Sequence, residues 1–234
     1  MRGPELRIGR LRIHPPVLQA PMAGITHTAF RRVLAGLGGV GLFSTEMLSA
    51  RSLPMEDPSR SPYLVRAAEE WPLSYQLLVA APEELPPAIE ALHRLSPDAI
   101  DLNLGCPAPE VRKRGAGSRL MEQPEAARGV AAKARGLTRL PLTAKIRLGE
   151  RLDEPGLREF CRMLEGEGVD LLTVHARLRG EPYGRRPRWE WVEKVKSWVS
   201  VPVVANGGIF SAADAKACRA ATGCDGLMLG RGMQ

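Results

Sequence analysis

The sequence predicts an α/β protein, a (β/α)8 TIM barrel, and three observations favour this fold. A chain of 234 residues would be used almost entirely by one such barrel. Short apolar runs recur at intervals of about 30 residues, the size of one βα unit. The runs are nearly continuous, which is typical of parallel strands covered on both faces. A doubly wound sheet is the alternative, but no G-x-G-x-x-G follows the first run.

The apolar runs predict eight strands. They begin, in chain order, at Val17, Val40, Leu73, Ala99, Pro141, Leu171, Val201 and Gly226. Eight strands of this kind are the number that a closed barrel requires.

Amphipathic stretches between the runs predict the helices. They cover residues 28–37, 82–95, 124–137, 154–167, 189–199 and 211–221. Ser211 followed by Asp214 is close to a capping box at the start of the last one. We expect residues 1–234 to form one catalytic domain. Because the eighth run ends just before Gln234, we also expect the last helix to be missing from this chain.

Composition excludes several classes of protein. Hydrophobic residues make up 44% and charged residues 25%, which excludes a disordered or fibrous chain. The four cysteines form no C-x-x-C pair and have no zinc-like spacing to the four histidines, so we expect neither a disulfide framework nor a metal site. The first 20 residues lack the apolar core of a signal peptide, and no membrane span is apparent. We expect a cytoplasmic protein.

The chain is basic, with 33 Lys and Arg against 26 Asp and Glu, a net charge of +7. An excess of this size suits a polyanionic partner. Two clusters follow the fourth and sixth strands, on the face where a barrel carries its active site: Arg112, Lys113, Arg114 and Arg119, then Arg177, Arg179, Arg185, Arg186 and Arg188. They suit a nucleic-acid backbone, and we take Arg177 and Arg179 as candidate substrate-binding residues.

Functional residues of a barrel lie at the carboxyl ends of its strands and in the loops that follow. This rule selects Pro21, Met22, Ala23, Glu46, Gln76, Asn103, Gly105, Cys106, Lys145, Arg147, His175, Arg177, Asn206, Gly207, Gly208, Gly230 and Arg231.

Several of these residues suggest a chemical role. The glycine turns after the seventh and eighth strands are suited to a phosphate, with Arg231 as a clamp. Lys145 interrupts an apolar strand, where it would meet an anion or form a Schiff base. Cys106 lies on a loop between Gly105 and Pro107. A cysteine thiol is mostly protonated at neutral pH, so it can donate a proton as well as act as a nucleophile.

Motifs along the whole chain resemble those of the tRNA-dihydrouridine synthases. They are APMAGIT at 20–26, STEMLSA at 44–50, DLNLGCPAPEV at 101–111, KIRLG at 145–149, TVHAR at 173–177, ANGGI at 205–209 and LGRG at 229–232. The N-x-G-C-P and K-x-R motifs are the specific part of this resemblance.

The resemblance implies a barrel that binds FMN and uses NADPH to reduce particular uridines of tRNA to 5,6-dihydrouridine. In such enzymes hydride reaches C6 of uracil from the flavin, and a loop cysteine, here Cys106, protonates C5. The resemblance places Pro21, Met22, Ala23 and Gln76 along the flavin ring, and Lys145 with His175 at its polar edge. It assigns the phosphate to Asn206, Gly207, Gly208, Gly230 and Arg231, and places Asn103 near the flavin and the uracil.

Family members also carry a C-terminal helical domain that grips tRNA, which we expect beyond residue 234. We expect a monomer. Three other functions stay open: an FMN-dependent dehydrogenase of a free pyrimidine, similar to dihydroorotate dehydrogenase, a Schiff-base barrel that uses Lys145, and a non-enzymatic RNA-binding barrel.

Overall fold

A computed structural model describes residues 5–234 and shows eight parallel strands arranged side by side in a ring. An antiparallel hairpin of β1 (Leu6–Ile8) and β2 (Leu11–Ile13) precedes them. The ring consists of β3 (Val17–Gln19), β4 (Phe43–Ser49), β5 (Leu73–Leu78), β6 (Ala99–Asn103), β7 (Leu142–Ile146), β8 (Leu171–His175), β9 (Val203–Asn206) and β10 (Gly226–Leu229). The predicted (β/α)8 barrel is confirmed.

Main-chain hydrogen bonds close the ring between its first two strands. β4 to β10 are neighbours in chain order, and β3 pairs with β10 on its other side. The Gly41 N–H donates to the Val17 carbonyl at 2.8 Å, and the Gln19 N–H donates to the Leu42 carbonyl at 3.0 Å. The strands therefore leave no open edge at which a further strand must pair.

Seven helices are found within the described residues. They are α1 (Thr28–Leu37), α2 (Leu85–Arg94), α3 (Pro109–Lys113), α4 (Pro124–Leu137), α5 (Glu154–Gly166), α6 (Trp189–Trp198) and α7 (Ala212–Thr222). Six of these match the predicted helices to within a few residues. Residues 82–84 form a separate 3₁₀ turn before α2. Ser211 caps α7, since its hydroxyl accepts from the Asp214 N–H at 3.1 Å.

The hairpin packs on the barrel strands beside one small hydrophobic cluster. Leu6, Ile8 and Ile13 of the hairpin are buried together with Leu18 of β3 and Met228 of β10. Leu171 and Val204, near the amino ends of their strands, belong to the same cluster. The amino end of the barrel is thus apolar and closed.

The carboxyl half of the barrel interior is polar. Strand pairing aligns Gln76, Asp101 and Thr143 in one row across β5, β6 and β7. A second row joins Asn103 to Lys145. Alternate residues such as Leu102 and Ala144 lie in the large apolar core instead. Strands that appear continuously apolar in the sequence therefore alternate, with polar side chains directed into the barrel at this end.

Candidate active site

A cavity of about 390 Å³ lies at the carboxyl ends of the strands. This volume falls within the range of cavities that bind small molecules and cofactors, about 300–1,000 Å³. The predicted site residues line it with two exceptions, Arg179 and Glu46. Those that line it are Pro21, Met22, Ala23, Gln76, Asn103, Gly105, Cys106, Lys145, Arg147, His175, Arg177, Asn206, Gly207, Gly208, Gly230 and Arg231. The strand-end rule thus identified one continuous site.

The turn after β9 brings its backbone close to the cavity because it consists of glycine. Gly207 has φ +107°, and a Cβ there would lie 2.8 Å from Cδ2 of His175. Gly208 has φ +73°, and a Cβ there would lie 2.6 Å from Cγ of Pro187. Side chains are therefore excluded at both positions, which leaves backbone N–H groups accessible to an anion such as phosphate.

Arg231 brings a positive charge to this turn. Its guanidinium carbon lies 5.0 Å from the ring centre of Tyr183 and 5.4 Å from that of Phe210. The two rings hold the charge in place by cation–π contact. Together with the glycine backbone, the site can hold a phosphate.

The loop that carries Cys106 is bound to the barrel from both sides. The side-chain oxygen of Asn103 accepts from the Cys106 N–H at 2.9 Å and from the Gly105 N–H at 3.2 Å. On the other side, the Cys106 carbonyl accepts from the Ser118 N–H at 2.9 Å. Cys106 is partly exposed, whereas Cys161, Cys218 and Cys224 are buried. It is thus the accessible thiol of the four.

Lys145 offers an uncompensated cation inside the cavity. Within residues 5–234 its ammonium has neither a hydrogen bond nor an ion pair. Burial, and next the nearby charge of Arg147, lower the pKa of Lys145 to about 8, against an opposing effect of Asp101. A ligand with negative charge at this point would favour the protonated form.

His175 is a neutral imidazole with a defined tautomer. Burial first, then the charges of Lys145 and Arg147, lower the pKa of His175 far below its ordinary value. Arg177 lies 3.0 Å from Nε2 of His175 through its Nη1. Because an arginine only donates, Nε2 is the acceptor and Nδ1 carries the proton. His175, which lines the cavity, therefore has one ring N–H, on Nδ1.

The two arginines predicted to bind substrate have different surroundings. Arg177 is buried and donates to the carbonyls of Tyr183 and Arg185 at 2.9 and 2.6 Å, so it holds the loop after β8. Arg179 does not line the cavity and forms an ion pair with Glu150. Only Arg177 is therefore positioned at the cavity itself.

Acidic residues that sequence reasoning missed neutralise much of the basic rim. Glu122 pairs with Arg112 at 2.7 Å and with Arg119 at 2.6 Å. Glu181 pairs with Arg188 at 2.5 Å and with Arg185 at 3.3 Å. Glu122 follows Arg119 by three residues, and Arg185 follows Glu181 by four. These spacings in the sequence could have indicated the two ion pairs. In the described part of the two clusters, the exposed cations without an ion pair are Lys113, Arg114 and Arg186.

Glu46 occupies a different place from the one predicted. It lies inside β4 rather than after it, because the strand extends to Ser49. One carboxylate oxygen accepts from the Gly24 N–H at 2.8 Å, and the other finds no hydrogen-bond partner within residues 5–234. Glu46 thus supports the loop after β3 that borders the cavity.

The described residues contain neither a membrane-spanning helix nor a metal-binding cluster. No helix there is long and apolar enough to cross a membrane. No group of three or more His, Cys, Asp or Glu side chains in the same range is arranged to hold a metal ion.

Comparison with protein families gives a match over most of the chain. The family model described as dihydrouridine synthase (Dus) matches residues 18–234. A probable tRNA-dihydrouridine synthase 1 of Synechocystis is 37% identical over 97% of this chain and 64% of its own length. A probable tRNA-dihydrouridine synthase of Mycobacterium tuberculosis is 37% identical over 98% of this chain and 62% of its own. tRNA-dihydrouridine synthase B of Escherichia coli K12 is 31% identical over 98% of this chain and 71% of its own length. The chain thus spans less than two thirds of the length of the first two relatives.

Solved structures with a similar fold have low sequence identity. Histamine dehydrogenase from Rhizobium sp. 4-9 has a TM-score of 0.70 at 16% identity, covering 97% of this chain and 45% of its own. A 2-naphthoyl-CoA reductase has a TM-score of 0.70 at 11% identity, and the match covers 97% of this chain and 49% of the reductase chain. These similarities support the fold.

Proposed function

This chain belongs to the dihydrouridine synthase family, and we propose that the protein reduces particular uridines of tRNA to 5,6-dihydrouridine. The overall reaction consumes one uridine, one NADPH and one proton, and yields dihydrouridine and NADP⁺. The observation that carries the proposal is the single cavity in which an accessible thiol, an unpaired lysine and a glycine turn face the same space.

The residues present fit FMN as the cofactor. The backbone of Gly207, Gly208 and Gly230, with Asn206 and the Arg231 charge, would hold its phosphate. Lys145 and the Nδ1–H of His175 would meet the polar edge of the ring, where negative charge collects on reduction. Pro21, Met22, Ala23 and Gln76 would line the ring itself. When bound and reduced by NADPH, FMN supplies the hydride for C6 of uracil.

Cys106 is the proposed general acid. Its thiol would give a proton to C5 of the uracil as the C5–C6 double bond is lost, and would recover the proton from solvent. Asn103 and Arg177 line the same cavity and are the proposed uracil contacts. Arg179, outside the cavity, would contact RNA instead.

The partner is tRNA in this proposal. A uridine inside a stacked helix cannot reach a cavity among strand ends, so the target base must leave its stack before reaction. The exposed cations Lys113, Arg114 and Arg186 would bind the flanking phosphates. We further propose that the protein works as a monomer in the cytoplasm.

The test is Cys106→Ala. With the purified protein, NADPH and unmodified tRNA, we expect dihydrouridine formation to fall by about 10²–10⁴-fold, the contribution of a general acid. The amount of FMN released on denaturation should stay the same. Mass spectrometry of digested tRNA measures the product, and absorbance measures the flavin.

Cys218→Ala is the matched control, because Cys218 is buried on α7 and does not line the cavity. It should retain the activity. A wild-type protein that binds no FMN, or a Cys106→Ala protein with undiminished activity, would contradict the proposal.

A further inference from the structure

A row of hydrogen bonds connects Cys106 to a buried carboxylate deeper in the barrel. From Cys106, the backbone N–H donates to the Asn103 side-chain oxygen at 2.9 Å. The Asn103 amide nitrogen donates to the Gln76 side-chain oxygen at 2.8 Å. The Gln76 amide nitrogen donates to one oxygen of Asp101 at 2.6 Å. The other Asp101 oxygen accepts from the Thr143 hydroxyl at 2.5 Å.

Both ends of this row require the same direction of hydrogen bonding. At one end, the backbone N–H groups of Gly105 and Cys106 only donate, so the oxygen of Asn103 must face them. At the other end, the Asp101 carboxyl oxygen accepts, so the nitrogen of Gln76 must face it. The two amides between them can therefore take only one orientation each.

We propose that Asp101 is a positioning residue that, through Gln76 and Asn103, fixes the loop on which the Cys106 thiol is presented to the cavity. Its relevance to catalysis rests on the proposed function, but the positioning itself does not. Asp101 is buried, at 6% exposure, and it does not line the cavity, so it acts through the amides rather than on a ligand.

The role requires an acceptor, not a charge. Burial raises the pKa of the Asp101 carboxyl, and the protonated form would serve equally. Its proton would point to the Thr143 hydroxyl, which can accept as well as donate, and the other oxygen would still accept from Gln76. An asparagine has the same two capacities.

The experiment measures how fast iodoacetamide alkylates Cys106 in the purified protein, by peptide mass spectrometry. The other three cysteines are buried, so the Cys106 peptide gives a clean signal. In Asp101→Leu the Gln76 nitrogen loses its acceptor, so the loop that carries the partly exposed Cys106 is held less firmly and the thiol becomes more accessible. We expect alkylation to accelerate about tenfold, which corresponds to the free energy of one buried hydrogen bond. Gln76→Leu interrupts the row one residue later and should give the same acceleration, which keeps the test open if Asp101→Leu does not fold.

Asp101→Asn should alkylate at the wild-type rate because it keeps the acceptor. Thr143→Val is the matched control: it also removes one buried hydrogen bond at Asp101, but on the side away from Gln76, and should leave the rate unchanged. A rate in Asp101→Asn as high as in Asp101→Leu would overturn the proposal, and so would an unchanged rate in a folded Asp101→Leu.

A second readout separates this proposal from the function. If the protein reduces uridine, Asp101→Leu should lower kcat with little change in KM for tRNA, and Asp101→Asn should restore kcat. Because the alkylation assay contains neither tRNA nor NADPH, its result stands even if no dihydrouridine is formed.

Discussion

At the scale of single residues, Lys145 is a cavity residue whose charge changes close to physiological pH. Its pKa of about 8 results from burial and the neighbouring Arg147. Below pH 8 the ammonium is protonated and places a positive charge in the cavity, and above pH 8 this charge is lost. A bound anion would move the change to higher pH, because it favours the protonated form.

With FMN bound as proposed, Lys145→Met should lower the reduction potential of the flavin. A positive charge beside the flavin would stabilise its reduced, anionic form, and we expect the loss of this charge to lower the potential by about 30–60 mV, or roughly 1.4–2.8 kcal/mol for two electrons. The difference between wild type and variant should be largest below pH 8 and shrink as the pH rises through 8 and above. Spectroscopic redox titration between pH 6.5 and about 9.5 measures it.

The control for this prediction is Lys133→Met, which removes an exposed lysine from α4. It should leave the potential unchanged at every pH. A Lys145→Met potential that differs from wild type by the same amount at all pH values would show that the lysine charge is not the cause.

The strand-end rule found most of the polar residues that line the cavity, but not the residues that hold them in place. Gln76, Lys145 and His175 could be predicted because position along a strand is enough to place them. The role of Asp101 could not, because its partners Gln76 and Thr143 are 25 and 42 residues away in the chain. Only the strand register brings them into one row.

At the scale of elements, one buried ion pair joins α1 to the long connection between β4 and β5. Arg31 on α1 and Glu70 in the connection lie 2.6 Å apart, with both side chains fully buried. Arg31 also donates to the carbonyls of Thr26 at 2.8 Å and Val65 at 2.6 Å. The connection has little regular structure of its own, so these bonds fix its path.

Arg31→Met should destabilise the protein by about 3–5 kcal/mol, because it leaves the buried Glu70 carboxylate without an opposite charge, with only the Thr28 hydroxyl still donating to it. The free energy of unfolding in urea, followed by circular dichroism, measures the change. Arg32→Met is the matched control one residue later. The side chains of Arg32 and its partner Glu69 are 60% and 46% exposed, so breaking this ion pair should leave the urea midpoint unchanged. Equal effects of the two variants would refute the assignment.

Elements that belong to the repeat of about 30 residues could be predicted, and elements outside this repeat could not. Helices α1 and α4 have the predicted bounds because each shows a clear amphipathic pattern over ten or more residues. The β1–β2 hairpin was missed because it precedes the repeat and its strands, with three residues each, are too short to show alternation by themselves. The same limit applies to α3, with five residues.

At the scale of the whole molecule, the excess positive charge is less concentrated at the cavity than the sequence indicates. Glu122 pairs with three arginines of the predicted clusters and Glu181 with two. Counting cations by sequence position overlooks these acids, which lie beside the arginines in space. The cations left for a polyanion are fewer, and each should matter more.

If tRNA is the partner, as proposed, Arg186→Glu should weaken its binding more than an equal change of charge elsewhere. Arg186 is exposed, has no ion pair within residues 5–234, and borders a cleft of about 480 Å³ formed by residues 185–190 and Ala221. Arg139→Glu is the matched control, since Arg139 is exposed in the connection before β7, at the opposite end of the barrel. Both variants lower the net charge by the same amount, so general attraction between protein and tRNA falls equally.

If Arg186 contacts a phosphate, replacing Arg186 should also reduce the slope of log K against log salt concentration by about one. Replacing Arg139 should leave this slope unchanged. Fluorescence anisotropy of labelled tRNA at several salt concentrations measures both quantities, and parallel salt slopes for the two variants would place the RNA away from this cleft.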